Sequence, residues 1–403
     1  MASLMPVSDA RRAVLDGAAG LPEEMVPLDQ ASGRVLARDV TALRTQPPDA
    51  MSAMDGYAVR AADAKVGAKL RVIGEVAAGR PFARKMGTGD AVRIFTGGVV
   101  PEGADAVVIQ ENTTRDADTI LINEVAGLGK NIRRAGLDFK SGDVLLRKGR
   151  LLSDRDLALA AAMNHPALPV HRKPKLALLA TGDELVMPGS EPREGQVVYS
   201  SGYALRALAL REGADVINLG IARDTLDATT EPIRAAIAAG ADILASTGGA
   251  SVGDHDLVKL ALEAEGVEIA FWKIAMRPGK PMMHGRRGNL RVLGLPGNPV
   301  SSYVCATLFL VPLIRALSGR SDVEPRPVKA ILGHDLPAND TREDYLRATL
   351  EERADAPPLV TPAGLQDSSL QANLAFSQAL IIRPPHAPAS PAGALCDVLK
   401  LPL

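Results

Sequence analysis

From Lys175 to Gly319 the chain alternates short apolar runs with longer stretches of helical periodicity, and that rhythm admits few folds. Strands separated by helices build βαβ units and a mostly parallel sheet. The predicted strands are Leu176–Ala180, Val216–Leu219, Asp242–Ser246, Val267–Ile274 and Leu290–Leu293. Helices are predicted near 202–212, 227–239 and 255–265, stopped by Gly213, Gly240 and Gly266. A last helix has Asn298 at its N-cap, Pro299 in its first turn and Gly319 past its end. Residues 174–320 are therefore expected to form a doubly wound α/β ligand-binding domain.

The flanking texture differs. Residues 7–40 read as mainly helical, with Ser8 capping a helix through Leu15 and a second helix from Leu28 towards Val40. After Pro47-Pro48, short β-rich runs follow: Leu70–Val76, Ala91–Phe95, Ala106–Gln110 and Thr119–Asn123. Ser153 is placed to cap a helix through Met163, and Pro166–Pro174 reads as a linker. Beyond about 321 the chain is Pro-rich and strand-like. The expected division is a discontinuous helical and mixed linking domain (1–44 and 142–173), a β-rich inserted domain (45–141), the α/β domain (174–320) and a C-terminal β domain (321–403).

Four hundred and three residues exceed what one hydrophobic core serves, in keeping with several domains. With 46 Lys and Arg against 47 Asp and Glu there is no basic excess, which argues against nucleic acid as a partner. Cys305 and Cys396 lie in apolar contexts and suit buried thiols in a reducing compartment. Met1–Gly20 lacks the apolar core of a signal peptide, and no run of 18 apolar residues argues for a membrane span. A cytoplasmic protein without membrane partners is expected.

In an open α/β sheet, ligands bind outside the carboxyl ends of the strands. The glycine-rich and polar stretches of this chain fall at those ends. They are Thr181-Gly182-Asp183-Glu184, the stretch from Ser246 to Gly253 (with Thr247, Gly248, Gly249 and Ser251), and Gly294 to Pro299 (with Pro296, Gly297 and Asn298). Glycines let backbone N–H groups approach an anion, and the helix after Asn298 adds partial positive charge there, with Ser301 and Ser302 in its first turn. A single glycine-rich turn usually marks only a turn; three at equivalent strand ends point to a phosphate cradle. Neither a P-loop nor a dinucleotide fingerprint occurs. Asp183, Glu184, Asp224, Asp254 and Asp256 collect on the same edge, where they repel a phosphate unless a hard cation such as Mg²⁺ intervenes. Lys273, Arg277 and Lys280 supply cations for an oxyanion. Asp55, in the apolar stretch Ser52–Ala58, and Asp138, after Asn131–Leu137, each read equally well as turn residues. Zinc-protease and serine-hydrolase motifs are absent.

Taken in order, these stretches resemble one family, the molybdopterin molybdenumtransferases (MoeA and the E domain of gephyrin). The resemblance is carried by Ser52–Arg60, Thr96–Glu111, Asn131–Asp138, Thr181–Leu185, Ser246–Asp256, Arg277–Pro281 and Gly294–Ser302. It implies an elongated homodimer of four domains, the last a β-barrel. It also implies Mg²⁺-dependent insertion of molybdate into adenylylated molybdopterin with release of AMP. By position, Glu184, Asp224 and Asp256 match the family's acidic active-site residues and are the candidate Mg²⁺ ligands. Lys273 and Arg277 match its basic pair, and Thr96 falls within a matching stretch. Asp55 and Asp138 match acids contributed across the dimer cleft; Arg342, Arg347 and Ser368 match more weakly. Implied partners extend to a molybdopterin adenylyltransferase and to apoenzymes that accept the cofactor.

Two departures stand out. Ala50-Met51 replaces the family's usual Asp-Asn, and Tyr199-Ser200-Ser201 replaces its usual Asp-Ser-Asn. Three other functions fit less well. An adenylyltransferase of the same fold needs only the α/β domain. A molybdopterin-binding or scaffolding paralogue does not need Asp55, Asp138, Glu184, Asp224 and Asp256. A nucleotide hydrolase lacks its P-loop.

Overall fold

The structure is a computed structural model that describes residues 4–77, 79–248 and 257–402. Its centre is a six-stranded sheet. The spatial order is Asp215–Ala222, Lys175–Thr181, Ile243–Thr247, Leu290–Leu295, Pro281–Arg287 and Glu268–Lys273. The first four strands are parallel and all but the edge one are almost wholly buried, as helices on both faces require. The strand Pro281–Arg287 escaped the sequence reading. It runs antiparallel to both neighbours and joins Glu268–Lys273 to the sheet, so the sheet is mixed at that edge. Its apolar signal is diluted by His284 and by flanking basic residues, and its Pro takes the first position, where a missing N–H is tolerated.

Two apolar layers cover the sheet. One holds Leu176, Leu178, Ile243, Leu293 and the helix Pro299–Leu317; the other holds Ala177, Leu179, Ile233, Leu244 and Val292. The alternation along Lys175–Thr181 sends successive side chains to opposite layers. The helix Pro299–Leu317 is apolar and long enough to cross a membrane by length and composition, but nearly all of it is buried within the protein. Ala306–Leu310 forms a π turn, just ahead of Pro312, which lacks the N–H that an unbroken α-helix needs.

The helix Val7–Leu15 presents Val7, Ala10 and Val14 to this same core. Pro6, not Ser8, occupies its N-cap, and no side chain caps it. Leu28–Val40 is not a helix: one 3-10 turn, Leu28–Gln30, is followed by a further turn and isolated bridges at Val35 and Leu36. Nor is Pro166–Pro174 a free linker, because Ala167–His171 pairs with Glu23–Pro27. Both errors share a cause: pairing between distant segments overrode local signals. Ser153 does begin the helix Asp154–Ala162, with its N–H and hydroxyl both donating to Asp156 at 2.9 Å.

Val26, Leu36 and Val40 share a core with Phe139, Leu146, Leu168 and Val170. Between them the chain builds a second six-stranded sheet, ordered Ala106–Ile109, Gly56–Val59, Asp90–Ile94, Lys69–Val76, Thr119–Ile122 and Thr113–Asp116. At the C-terminus, Glu343–Glu351, Leu359–Pro362, Val328–Leu332, Leu395–Lys400 and Ala379–Arg383 close into a five-stranded barrel, sealed where the first strand pairs with the last.

His284 is fully buried with Nδ1 facing the Val292 carbonyl at 3.1 Å. Burial pushes its pKa down from 6.5 to about 4. Between those values the unfolded chain takes up a proton that the folded chain refuses. Stability is therefore full above about pH 6.5 and falls as the pH drops towards 4, by at most about 3 kcal/mol. His284→Gln should flatten that part of a denaturant-midpoint profile across pH 4–7; an unchanged slope would remove His284 from the acid response.

Candidate functional site

The carboxyl ends of three parallel strands converge on a cavity of about 600 Å³. Its wall includes Thr181, Glu184, Thr247, Gly248, Pro296, Gly297, Asn298 and Ser301. Backbone proximity explains the glycines. Gly248 has φ +88°, and a Cβ there would lie 2.3 Å from the Thr181 carbonyl oxygen. A Cβ on Gly297 would sit 3.6 Å from the Gly248 Cα. Gly182 has φ +146°, and a Cβ there would meet the Glu184 carboxylate at 2.5 Å. A side chain at Gly248 would force the strand ends apart and one at Gly182 would displace the acid, whereas the Gly297 contact is an ordinary one.

The hydroxyls of Thr181, Ser246 and Thr247 are buried and have no hydrogen-bond partner among the described residues. An unsatisfied buried hydroxyl costs about 1–3 kcal/mol, and such a group beside a cavity is a ready donor for a ligand. Ser302 spends its hydroxyl on the Pro299 carbonyl at 3.0 Å, while Ser301 lines the cavity. Asn298 takes the N-cap position, but its side chain does not cap the helix. Its Nδ2 donates instead to Ser368 Oγ at 3.0 Å, and the Ser368 carbonyl accepts from Val300 N–H at 3.2 Å. A loop of the C-terminal barrel thus covers the helix N-terminus, and Gln371 extends the contact by donating to Ser200 Oγ at 2.8 Å.

Asp183 and Asp224 stand at adjacent strand ends. Each carboxylate accepts the other's backbone N–H, at 3.3 and 3.4 Å, and Glu184 is exposed beside them. Gly249, Ser251 and Asp256 lie outside the described residues, and no cluster of three metal-ligating side chains occurs among those described.

The cations separate. Lys280 is exposed next to Pro281 of the cavity wall, and Lys273 is half-buried. Arg277 does not reach the wall. Met276–Arg277 pairs in parallel with Glu343 and Asp344 at the edge of the barrel sheet, and that backbone pairing delivers its guanidinium to Asp344 and Asp340, with Nε 2.8 Å from Asp344 Oδ1. Arg342 also turns towards Asp340. Arg347 is 1% exposed and donates to the Asp367 and Leu365 carbonyls at 2.9 and 3.3 Å. It braces the covering loop and has no exposed surface to offer an anion.

Asp55 and Asp138 sit on the inserted sheet unit and do not line the cavity. Met51–Ser52 pairs with Ile132–Arg133, and Asp138 N–H donates to the Gln46 carbonyl at 3.0 Å, so backbone bonds hold both acidic loops together. Asp55 Oδ1 accepts Thr96 N–H at 2.7 Å and Thr96 Oγ1 at 2.8 Å. The backbone bond first, then the hydroxyl, hold its carboxyl below the ordinary 3.8. Arg93 supports this turn, lying 5.1 Å over Tyr57 and 4.8 Å over Phe95 and donating to the Gly56 carbonyl.

Ser369 and Gln371 of the wall escaped the sequence reading, and Leu185, Val197, Val198 and Tyr199 fell within or beside quoted stretches without being named as site residues. Val197–Val198 forms a two-residue strand with Leu185–Val186, too short to register as a period. Ser246 and Thr247 lay within the quoted glycine-rich stretch but carried no distinguishing mark.

Gly248→Ala should destabilise the protein by on the order of 1–3 kcal/mol, read as a lower calorimetric melting temperature; an unchanged melting point would mean the strand ends separate freely. Thr96→Val, which removes the hydroxyl and keeps the N–H, should raise the Asp55 carboxyl part of the way towards 3.8, followed by carboxyl-carbon NMR; no movement would remove the Thr96 hydroxyl from its control.

Comparison with known proteins agrees with this architecture. Residues 5–164 match the MoeA N-terminal region (domain I and II), residues 177–316 a probable molybdopterin binding domain, and residues 329–401 the MoeA C-terminal region (domain IV). A molybdopterin molybdenumtransferase of Haemophilus influenzae is 36% identical over 361 residues, covering 89% of each chain. One from Nostoc is 36% identical over 94% of this chain and 89% of its own. The crystal structure of a molybdopterin biosynthesis MoeA protein from Pyrococcus horikoshii superposes with a TM-score of 0.83, at 29% identity, over 99% of this chain and all of that one. The chain belongs to the family of molybdopterin molybdenumtransferases.

Proposed function

We propose that this enzyme inserts molybdate into adenylylated molybdopterin and releases AMP, with Mg²⁺ required. The observation that carries the reading is the strand-end cavity, where glycine backbones approach closely and the buried hydroxyls of Thr181 and Thr247 have no hydrogen-bond partner among the described residues. Such a lining suits a ligand with an anionic bridge and a flat ring: polar donors at the glycine end, and Leu185, Val197, Val198 and Pro281 along the side. Two molybdenum–sulfur bonds form as molybdate loses oxygen with protons as water, and water enters at phosphorus as AMP leaves. The chain's own residues bind and orient. Lys280 at the rim faces the oxyanion, and the backbone near Gly248 and Gly297 cradles phosphate.

Glu184 and Asp224 provide hard oxygen donors, the kind Mg²⁺ takes through one or two carboxylates plus ligand phosphate. When bound, that ion supplies charge neutralisation at the phosphate bridge. Arg277, held by Asp344 and Asp340, is assigned to joining the barrel to the α/β unit. Asp55 and Asp138 enter the site from the partner subunit of a homodimer. This accounts for two ordered acidic loops that do not line their own chain's cavity. An ordinary carboxylate is ionised near neutral pH and Thr96 lowers the Asp55 pKa further, so Asp55 acts as a proton acceptor or fixed anion and not as an acid. The free thiols Cys305 and Cys396 fit the reducing conditions of the cytoplasm.

Purified protein given adenylylated molybdopterin, molybdate and Mg²⁺ should produce AMP, and chelation should stop it. Binding of the ligand without any AMP would instead establish a molybdopterin-binding paralogue. Glu184→Gln and Asp55→Ala should each lower turnover by about 10²-fold or more. Mixing the two inactive variants should restore part of the activity if acids cross between subunits; no recovery would place each site within one chain.

A further inference from the structure

Tyr199 lies between Val197–Val198 and the helix Ser201–Arg211 and is 6% exposed. Its N–H donates to the Val186 carbonyl at 2.8 Å, which ties it to the loop bearing Glu184. Its hydroxyl rests on Gly202, where a Cβ would come within 1.9 Å of it. Glycine at 202 is thus what admits the phenol. The ring belongs to two spaces at once. It lines the 600 Å³ cavity, and it lines a small partly open pocket of about 40 Å³ beside Leu178, Met187, Gly202, Tyr203, Arg206 and Asn218. Tyr203 stands against it, with ring centroids 6.3 Å apart. On the cavity side, the Thr247 hydroxyl faces it without closing a hydrogen bond of ordinary geometry.

We propose that Tyr199 is a specificity-determining residue of this site, its ring closing one end of the cavity and its hydroxyl, with that of Thr247, presenting a polar edge to a planar nitrogen heterocycle of the ligand. The inference rests on the function proposed above and adds what limits the ligand there. Both halves of that ligand, the pterin and the adenine, offer a flat ring with hydrogen-bonding nitrogens. Burial favours the neutral phenol, so the hydroxyl keeps a proton to donate at any pH the enzyme meets. Removing the ring joins the cavity to the small pocket behind it; removing only the oxygen leaves the partition in place.

The test measures, by calorimetry, the binding of adenylylated molybdopterin and of AMP to the full chain and to two variants. Tyr199→Phe should weaken adenylylated molybdopterin roughly three- to tenfold, the value of one neutral hydrogen bond, with the melting temperature unchanged. Tyr199→Ala should weaken it further. A parallel loss for AMP identifies adenine as the ring read by Tyr199, and a loss confined to the full ligand identifies the pterin. Binding of both probes within twofold of the parent by both variants overturns the proposal. Failure of the parent chain to bind either probe overturns the function itself, and shows before any variant is made.

Discussion

Everything at the ligand-binding edge depends on how closely the ends of three parallel strands approach one another. Thr181, Gly248 and Gly297 come together so tightly that a methyl group on Gly248 would overlap a carbonyl oxygen. Parallel strands splay as the sheet twists, and only chain without Cβ atoms can fold inward past their ends. The hydroxyls of Ser246 and Thr247 lie buried at the end of the central strand Ile243–Thr247. Among the described residues, the hydroxyls of Thr181 and Thr247 are both unpartnered and part of the cavity wall.

The second constraint is the docking of the C-terminal barrel. It is achieved by backbone pairing, with Met276–Arg277 added to the edge of the barrel sheet, and by charge, with Arg277 held between Asp344 and Asp340. Arg347, buried within the barrel, fixes the carbonyls of the loop that reaches across to Asn298 and Ser200. The barrel therefore forms part of the cavity wall. Arg277, which sequence position assigns to the ligand, reaches one buried carboxylate, Asp344, and one exposed carboxylate, Asp340, and these contacts link the two units.

Much of the α/β unit was legible in the chain. Apolar runs ending in glycine turns located four parallel strands, and the grouping of Thr181, Glu184, Gly248 and Asn298 at one edge followed from strand direction alone. The antiparallel strand Pro281–Arg287 was not legible, since His284 and Arg286 interrupt its apolar pattern. The same limit hid the pairing of Glu23–Pro27 with Ala167–His171, which rests on a partner far along the chain.

Local sequence determined which residue types the binding edge contains, because glycine, proline and capping residues act through the few residues beside them. It also placed Asp55 and Thr96 within one β-rich segment. Tertiary structure alone decided which of those residues share a surface. It sent Arg277 to the barrel, buried Arg347 under a loop, turned the Asn298 side chain from capping to bridging, and set Tyr199 between two cavities. Each outcome depends on satisfying buried polar groups and filling space across units distant in sequence, and no local pattern encodes those distances.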